Sequence, residues 1–221
     1  MHLLCVGLRD IALKEQYRSD RDDLVSEFFI PCLYYCIEYD RAIEYVAVKS
    51  LTNFYFGLRK FIENEPKIRM VTGHRFRTYD LNFLVRVFQN GKSSLKIDGV
   101  DEKKVQVLQN MITNDKLKLK IAIPNSDLVY GSFSENIGVF RDENDDVVAF
   151  TGTSNETFDP EKKNFESIDV FTSWNDKSRV ETKVMDFENL WENKTKTVEV
   201  YDFVHAAKNN LLKYSAEWLQ K

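Results

Sequence analysis

Residues 131–157 read GSFSENIGVFRDENDDVVAFTGTSNET, and two parts of this stretch carry residue types suited to phosphate chemistry. In the later part the apolar run VVAF leads into a turn, Gly152-Thr153-Ser154-Asn155. Backbone N–H groups and short polar side chains in such a turn form an anion-binding concavity. In the earlier part Gly131 precedes Ser134 and Asn136, so a hydroxyl and an amide stand where a reactive group is expected. Asn164 and Glu166 open the next strand-like run, SIDVFTSW. An ordinary hairpin with Asn and Gly turn chemistry accounts for the same residues. Spacing alone leaves both readings open.

A second group lies in KIRMVTGHRFR, where Lys67, Arg69, Arg75, Arg77 and His74 occur without an acidic residue. His74 follows the strand-like IRMVTG, and ligands of open α/β sheets bind beyond the C-terminal ends of strands. These five side chains are candidates for contacting phosphate or nucleic acid. The chain's net charge is −4, so any such attraction has to come from a local patch. KLKLK at 116–120 puts three lysines on one face of an extended strand. For both segments the plainer alternative is a solvated strand face or a basic turn.

Several classes of chemistry find no support. Three cysteines, an odd number, do not suggest a disulfide framework, and Cys32 and Cys36 lie one helical turn apart in an apolar stripe, as buried free thiols do. Histidines occur at positions 2, 74 and 205, too scattered for a zinc-type cluster, and neither metal nor cofactor is expected. No run approaches the roughly 18 apolar residues of a membrane span. The opening MHLLCVGLRD lacks the basic region and cleavage site of a leader and reads as a first strand or helix. The expectation is a cytoplasmic protein without membrane association.

The elements that must position these residues follow from periodicity. With 221 residues, 43% of them hydrophobic, the chain suits one α/β domain spanning 1–221. Residues 19–40 carry a broad helical stripe, kinked at Pro31, and AIEYVAV reads as a strand. Ser50 is placed to cap LTNFYFGLRKFIEN; IRMVTG is a strand, and TYDLNFLVRVFQN a helix stopped by Gly91. A helix over 102–114 leads into the strand LKLKIAIP. IGVFRD and VVAFTGT form a hairpin through ENDD, with SIDVFTSW following. Helices around DFENLWE and VHAAKNNLLKYSAEWLQ flank a short strand, TVEVY. Strand–helix–strand–helix followed by a hairpin makes a mixed sheet.

Taken together and in order, these stretches resemble the phospholipase D-like nuclease domain of prokaryotic restriction and defence systems, often found ahead of a DEAD/DEAH-type helicase. The resemblance runs from Asp22 to Tyr214. It rests on DDLVSEFFIPCLYYCIEYDRAIEY, SLTNFYFGLRKFIEN followed by KIRMVTG, KLKIAIP, IGVFRDENDDVVAFTGTSNET, NFESIDVFTSW and FENLW. It implies an α/β fold with a mixed β-sheet flanked by helices on both faces. It also implies a His-x-Lys motif before the hairpin, a Gly-Ser-x-Asn turn and then Asn-x-Glu. The His attacks phosphorus, the Lys and the turn Asn hold the non-bridging oxygens, and two chains pair to complete the site.

Here the turn persists as Gly152-Thr153-Ser154-Asn155, and Asn164-Phe165-Glu166 persists too. Ser134 stands at the His position and Asn136 at the Lys position, while the acid expected five residues later falls on Arg141, with Asp142 one place along. A serine hydroxyl is a weak nucleophile without a neighbouring base. Asn136 removes a fixed charge of the kind that stabilises developing oxyanions. The family site, at Ser134, Asn136, Asn155 and Glu166, is therefore degenerate, and His74 is the minority candidate for a replacement nucleophile. The resemblance then implies a nucleic-acid-binding or scaffold subunit of an anti-phage defence or DNA-processing assembly. Its partner is a second copy, or a helicase or other defence protein. An active phosphodiesterase with a displaced or partner-supplied nucleophile is the alternative.

Overall fold

The runs IGVF and VVAF are buried along their whole length, which suits strands inside a sheet covered on both faces. A computed structural model, which describes residues 7–53, 67–125, 132–153 and 165–214, places them well inside such a sheet. In chain order its strands are β1 (Gln16–Arg18), β2 (Glu38–Ile43), β3 (Lys67–Gly73) and, after a two-residue β4 (Arg75–Phe76) outside this sheet, β5 (Leu117–Pro124). Then come β6 (Ile137–Arg141), β7 (Val147–Gly152), β8 (Ser167–Thr172) and β9 (Val198–Asp202). The spatial order is β1-β8-β7-β6-β2-β3-β5-β9. β2, β3 and β5 run parallel to one another, and the other neighbouring pairs are antiparallel. The sheet is mixed, as the element order predicts.

The helices divide between the two faces. On one face lie α1 (Ile30–Tyr35), α2 (Val48–Asn53), α3 (Thr78–Asn90), α4 (Glu102–Thr113) and α6 (Phe203–Lys208). Their apolar side chains join one core with Tyr39, Met70, Phe140 and Phe150 of the sheet. Phe28 sits among Tyr17, Phe29, Phe140 and Phe150 with ring centroids 5.1–5.9 Å apart. Such tilted and edge-to-face pairs add about 0.5–1.5 kcal/mol each to the gain from burial. On the other face lies α5 (Lys177–Trp191), whose Val180, Phe187, Leu190 and Trp191 pack on Val71, Ile137, Val139 and Ala149.

Local signals explain many of the boundaries. Gly91 ends α3 in the left-handed region at φ +75°, and the Asp101 carboxylate accepts Lys103 N–H at the start of α4. Cys32 and Cys36 are buried free thiols, and burial pushes both well above their ordinary pKa. Among the described residues no helix is long and apolar enough to cross a membrane.

Four expectations need correction. The 19–40 helix is a wide π turn over Val25–Phe29 followed by α1, and it ends at Tyr35. Pro31 lacks the N–H that would close a regular turn there. The next strand is Glu38–Ile43, not AIEYVAV, because distant partners accommodate Asp40 and Arg41 inside the sheet. Helix α2 starts two residues before Ser50, since Asp80 of α3 accepts Val48 N–H at 2.9 Å; residues 54–64 of the expected helix lie outside the described residues. The last long helix is cut to α6, because Asn210 takes φ +56° and the chain turns into a second short strand, β10 (Lys213–Tyr214), paired with β4. Trp218 and the rest of 215–221 lie outside the described residues.

Candidate phosphate-binding site

Strand directions decide which candidates meet. β2, β3 and β7 end, and β6 and β8 begin, at the same end of the sheet. Asn136 immediately precedes β6, Gly152 closes β7, Glu166 immediately precedes β8 and His74 follows β3, so all four gather there. Ser134 is exposed two residues before Asn136. A Cβ built on Gly73 would stand 3.6 Å from the Phe133 Cβ, so the Ser134 segment passes against the end of β3. Ser154, Asn155 and Asn164, with Gly131, lie outside the described residues.

Pleating sorts the side chains further. Ile137 and Val139 face α5, whereas Phe140 faces the other core; continuing that alternation puts Asn136 on the face opposite α5. The same alternation places Glu166 with Ile168 and Val170, and Gly152 with Val148 and Phe150, on that face. Asn136 is half-buried, and Thr151 Oγ1 donates to its backbone carbonyl at 2.8 Å. Glu166 is clamped through its backbone: its N–H reaches Ser19 Oγ and its carbonyl accepts Ser19 N–H, both at 2.9 Å.

Thr153, the last described residue of the turn, takes part in sheet bonding. Thr153 N–H donates to the Ser167 carbonyl at 2.9 Å, and the Thr153 hydroxyl accepts Ser167 N–H at 3.1 Å. Gly152 permits this close approach. A Cβ there would lie 2.1 Å from the Ser167 carbonyl oxygen, at a φ of +153° that L-residues avoid. Gly152 and Thr153 thus prolong the β7–β8 ladder.

The basic segment does not form one patch. Lys67 begins β3 at the opposite end of the sheet, about 20 Å from Gly73 at strand rise, and stands 3.9 Å from Glu38. Arg69 faces α5 and is held by Asp40 and Glu188. His74 is only 6% exposed, and burial first, then the Lys213 and Arg75 charges, lower its pKa. Arg75 is exposed, and the Arg77 guanidinium lies 5.6 Å from the centre of the Tyr45 ring. Arg75 and Arg77 are the two cations of the segment near the Ser134 end.

Asp142 is 2% exposed and has a structural task. It accepts Leu8 N–H on one oxygen and Asn144 and Asp146 N–H on the other, closing the β6–β7 hairpin at the far end of the sheet. Arg141 lies 3.7 Å from Glu38 and 3.8 Å from Asp145.

One residue absent from the sequence-based candidates is Arg41, fully buried in the middle of β2. Its Nη1 donates to the carbonyls of Ala42 and Ile137 at 2.7 and 3.0 Å, and the guanidinium lies 5.0 Å from the Phe150 ring centre. The available signal was a period-two one: Tyr39, Arg41 and Ile43 share a face, with an arginine where an apolar residue is expected.

No protein-family model and no curated protein matches this sequence. Solved structures do. NucT from Helicobacter pylori superposes with a TM-score of 0.50 at 11% identity, over 84% of this chain and 97% of that one. A phospholipase D family member, Nuc from Salmonella typhimurium, gives 0.46 at 13% identity over 85% and 96% of the two chains. Polyphosphate kinase from Porphyromonas gingivalis gives 0.46 at 9% identity, covering 89% of this chain and 29% of that one. The fold likeness rests on the first of these. The chain has the phospholipase D-like fold, a large mixed sheet flanked by helices, and identities this low speak for fold alone.

Proposed function

We propose that this chain is a degenerate phospholipase D-like domain that binds phosphate-bearing ligands, nucleic-acid backbone first, without cleaving them by the phosphohistidine route. The observation that carries this reading is the pair Ser134 and Asn136, a hydroxyl and an amide at the positions where the family resemblance places imidazole and ammonium. Among the described residues the other histidines offer poor replacements. His74 is buried, and His205 stacks on Tyr201 in α6. Phosphate contacts fall to Arg75, Arg77 and Asn136 at one end of the sheet, and Asn155 and Asn164 join them by the resemblance alone. The same resemblance supports a place as a binding or scaffold subunit in a prokaryotic anti-phage defence or DNA-processing assembly in the cytoplasm. There it pairs with itself or with a helicase or other defence protein.

A second reading, an active phosphodiesterase with a displaced nucleophile, is favoured by one observation. His74 lies at the same sheet end, and burial keeps its imidazole neutral near pH 7, the nucleophilic form. One experiment separates the two. Purified protein is incubated with single- and double-stranded DNA, RNA and a chromogenic phosphodiester, alone and with His74→Ala. The non-cleaving reading expects no turnover in either; turnover that follows the protein through purification and vanishes in His74→Ala establishes the second.

A further inference from the structure

The sheet has a notch at the end opposite the candidate site. β9 pairs with β5 only from Lys120 to Pro124, because the chain leaves β9 for α6 at Asp202. On its other side β5 pairs with β3 from Leu117 onwards. Leu117 to Leu119 therefore have a neighbouring strand on one side only. A cleft of about 760 Å³ lies there. It touches Leu117 and Leu119, which share a core with Val87 and Phe203, and it also touches Lys118 and Trp191 on the α5 face. A cleft in contact with both faces of one strand lies along that strand's edge. An edge of this kind is a template for pairing with another chain.

Charge selects what fits along it. Lys118 is exposed and, among the described residues, has no ion pair. Its neighbour in register on β3 is Arg69, a second cation, which is itself held by Asp40 and Glu188. Like charges side by side on a sheet are destabilising, and an acid on the open side of Lys118 offsets this. Lys120 is already provided for. Asp202 stands opposite it in register, and its ammonium donates to the Trp191 carbonyl at 2.9 Å. Asp115, the other acid lining the cleft, precedes the strand in a left-handed turn at φ +56°.

We propose that this notch is a docking site for an extended segment of a partner protein, added as a strand to β5. Its chemistry is apolar–acidic–apolar: the acid faces Lys118, and the apolar residues on either side of it enter the cleft beside Val87, Phe88 and Phe203. Main-chain hydrogen bonds to β5 supply affinity, and the alternating side chains supply selectivity. The notch is independent of the phosphate reading, since it lies at the other end of the sheet from Asn136.

The test uses fluorescence anisotropy with a labelled peptide, Ser-Thr-Val-Glu-Val-Thr-Ser, and a second in which Lys replaces Glu. The parent is expected to bind the first about fivefold more tightly than the second, the swing between an opposite-charge and a like-charge cross-strand pair. In K118E, a change at an exposed position, that order should reverse while the melting temperature is retained. A version of the first peptide N-methylated along Val-Glu-Val should lose binding, because its backbone cannot pair with β5. Should K118E fail to fold, the three peptides on the parent still decide. Equal binding of the two charged peptides, an unreversed order in folded K118E, or undiminished binding of the N-methylated peptide overturns the proposal. So does the absence of binding by either charged peptide. A parent dimer in light scattering that K118E dissolves would assign the notch to a second copy of this chain and overturn the partner reading.

Discussion

Asp40 and Arg69 face each other in register across the parallel strands β2 and β3, joined by two hydrogen bonds of 2.7 and 2.6 Å. Glu188 of α5 grips the same guanidinium from above at 2.5 Å, and the Phe187 and Trp191 rings lie 5.3 and 5.4 Å from it. Burial works against the Arg69 charge, but the two carboxylates outweigh it and its pKa is raised further. The cluster pins α5 to the sheet. Removing the arginine alone leaves the largely buried Asp40 carboxyl, whose pKa burial already raises, without its cation, so Arg69→Leu should destabilise the fold by about 3 kcal/mol. Urea denaturation checks this, and the double change Asp40→Asn/Arg69→Leu should recover part of the loss. Equal stability of parent and Arg69→Leu would show the cluster to be ornamental.

Gly152→Ala should be among the most damaging single changes near the site. The added methyl meets the Ser167 carbonyl at 2.1 Å where β7 and β8 are zipped by Thr153. Strain of this sort costs about 1–3 kcal/mol even before the ladder is displaced. Denaturant midpoints should fall accordingly, and the Thr153 and Ser167 amides should lose hydrogen-exchange protection first. Unchanged protection there refutes the close-approach explanation.

Acid sensitivity should have an identifiable contributor in Asp22. Its hydrogen bond from Lys14, then those from Arg18 N–H and Arg21, lower its pKa from 3.8 to about 2. A carboxylate whose folded pKa is depressed stabilises the fold above its unfolded pKa, and that contribution disappears as pH falls through the folded value. The window is therefore pH 4 down to about 2. Melting temperatures across that range should fall less steeply in Asp22→Asn than in the parent. Parallel curves count against the assignment.

Nucleic-acid binding, where present, should divide the basic segment by sheet end. Arg75→Ala/Arg77→Ala should lose most of the affinity for duplex DNA at low salt, whereas Lys67→Ala, at the other end, should lose little. With two principal cations the log–log salt slope should be about −2. Fluorescence anisotropy across a salt series measures both. Equal losses from Lys67→Ala and the double variant would mean that binding follows total charge and not the site.

The elements legible in the sequence are those whose signals are local. The hairpin from Ile137 to Gly152 shows two apolar runs about a polar turn, and α3 shows its helical stripe and its Gly91 stop. Strand direction explains why Asn136, Gly152 and Glu166 share one end of the sheet. Less legible was β2. EYD reads as the end of the 19–40 helix until Arg69, some thirty residues on, accounts for Asp40, and the Ile137 carbonyl for Arg41. The expected helix start at Ser50 gave way to Asp80 for the same reason, a capping carboxylate supplied from another helix.

By itself the sequence determined the order of most strands and helices and the residue types at the candidate positions, including the hydroxyl of Ser134 and the amide of Asn136. Those are properties of periodicity and residue type, carried by neighbours along the chain. Tertiary structure alone decided where the charges act. It sent Lys67 and Arg69 away from the candidate site, buried His74, tied Thr153 into the ladder and buried Arg41 in the middle of β2. The reason is physical: period-two pleating and strand direction assign each side chain to a face and an end. Whether a buried charge is tolerated there depends on partners that only folding brings within hydrogen-bonding distance.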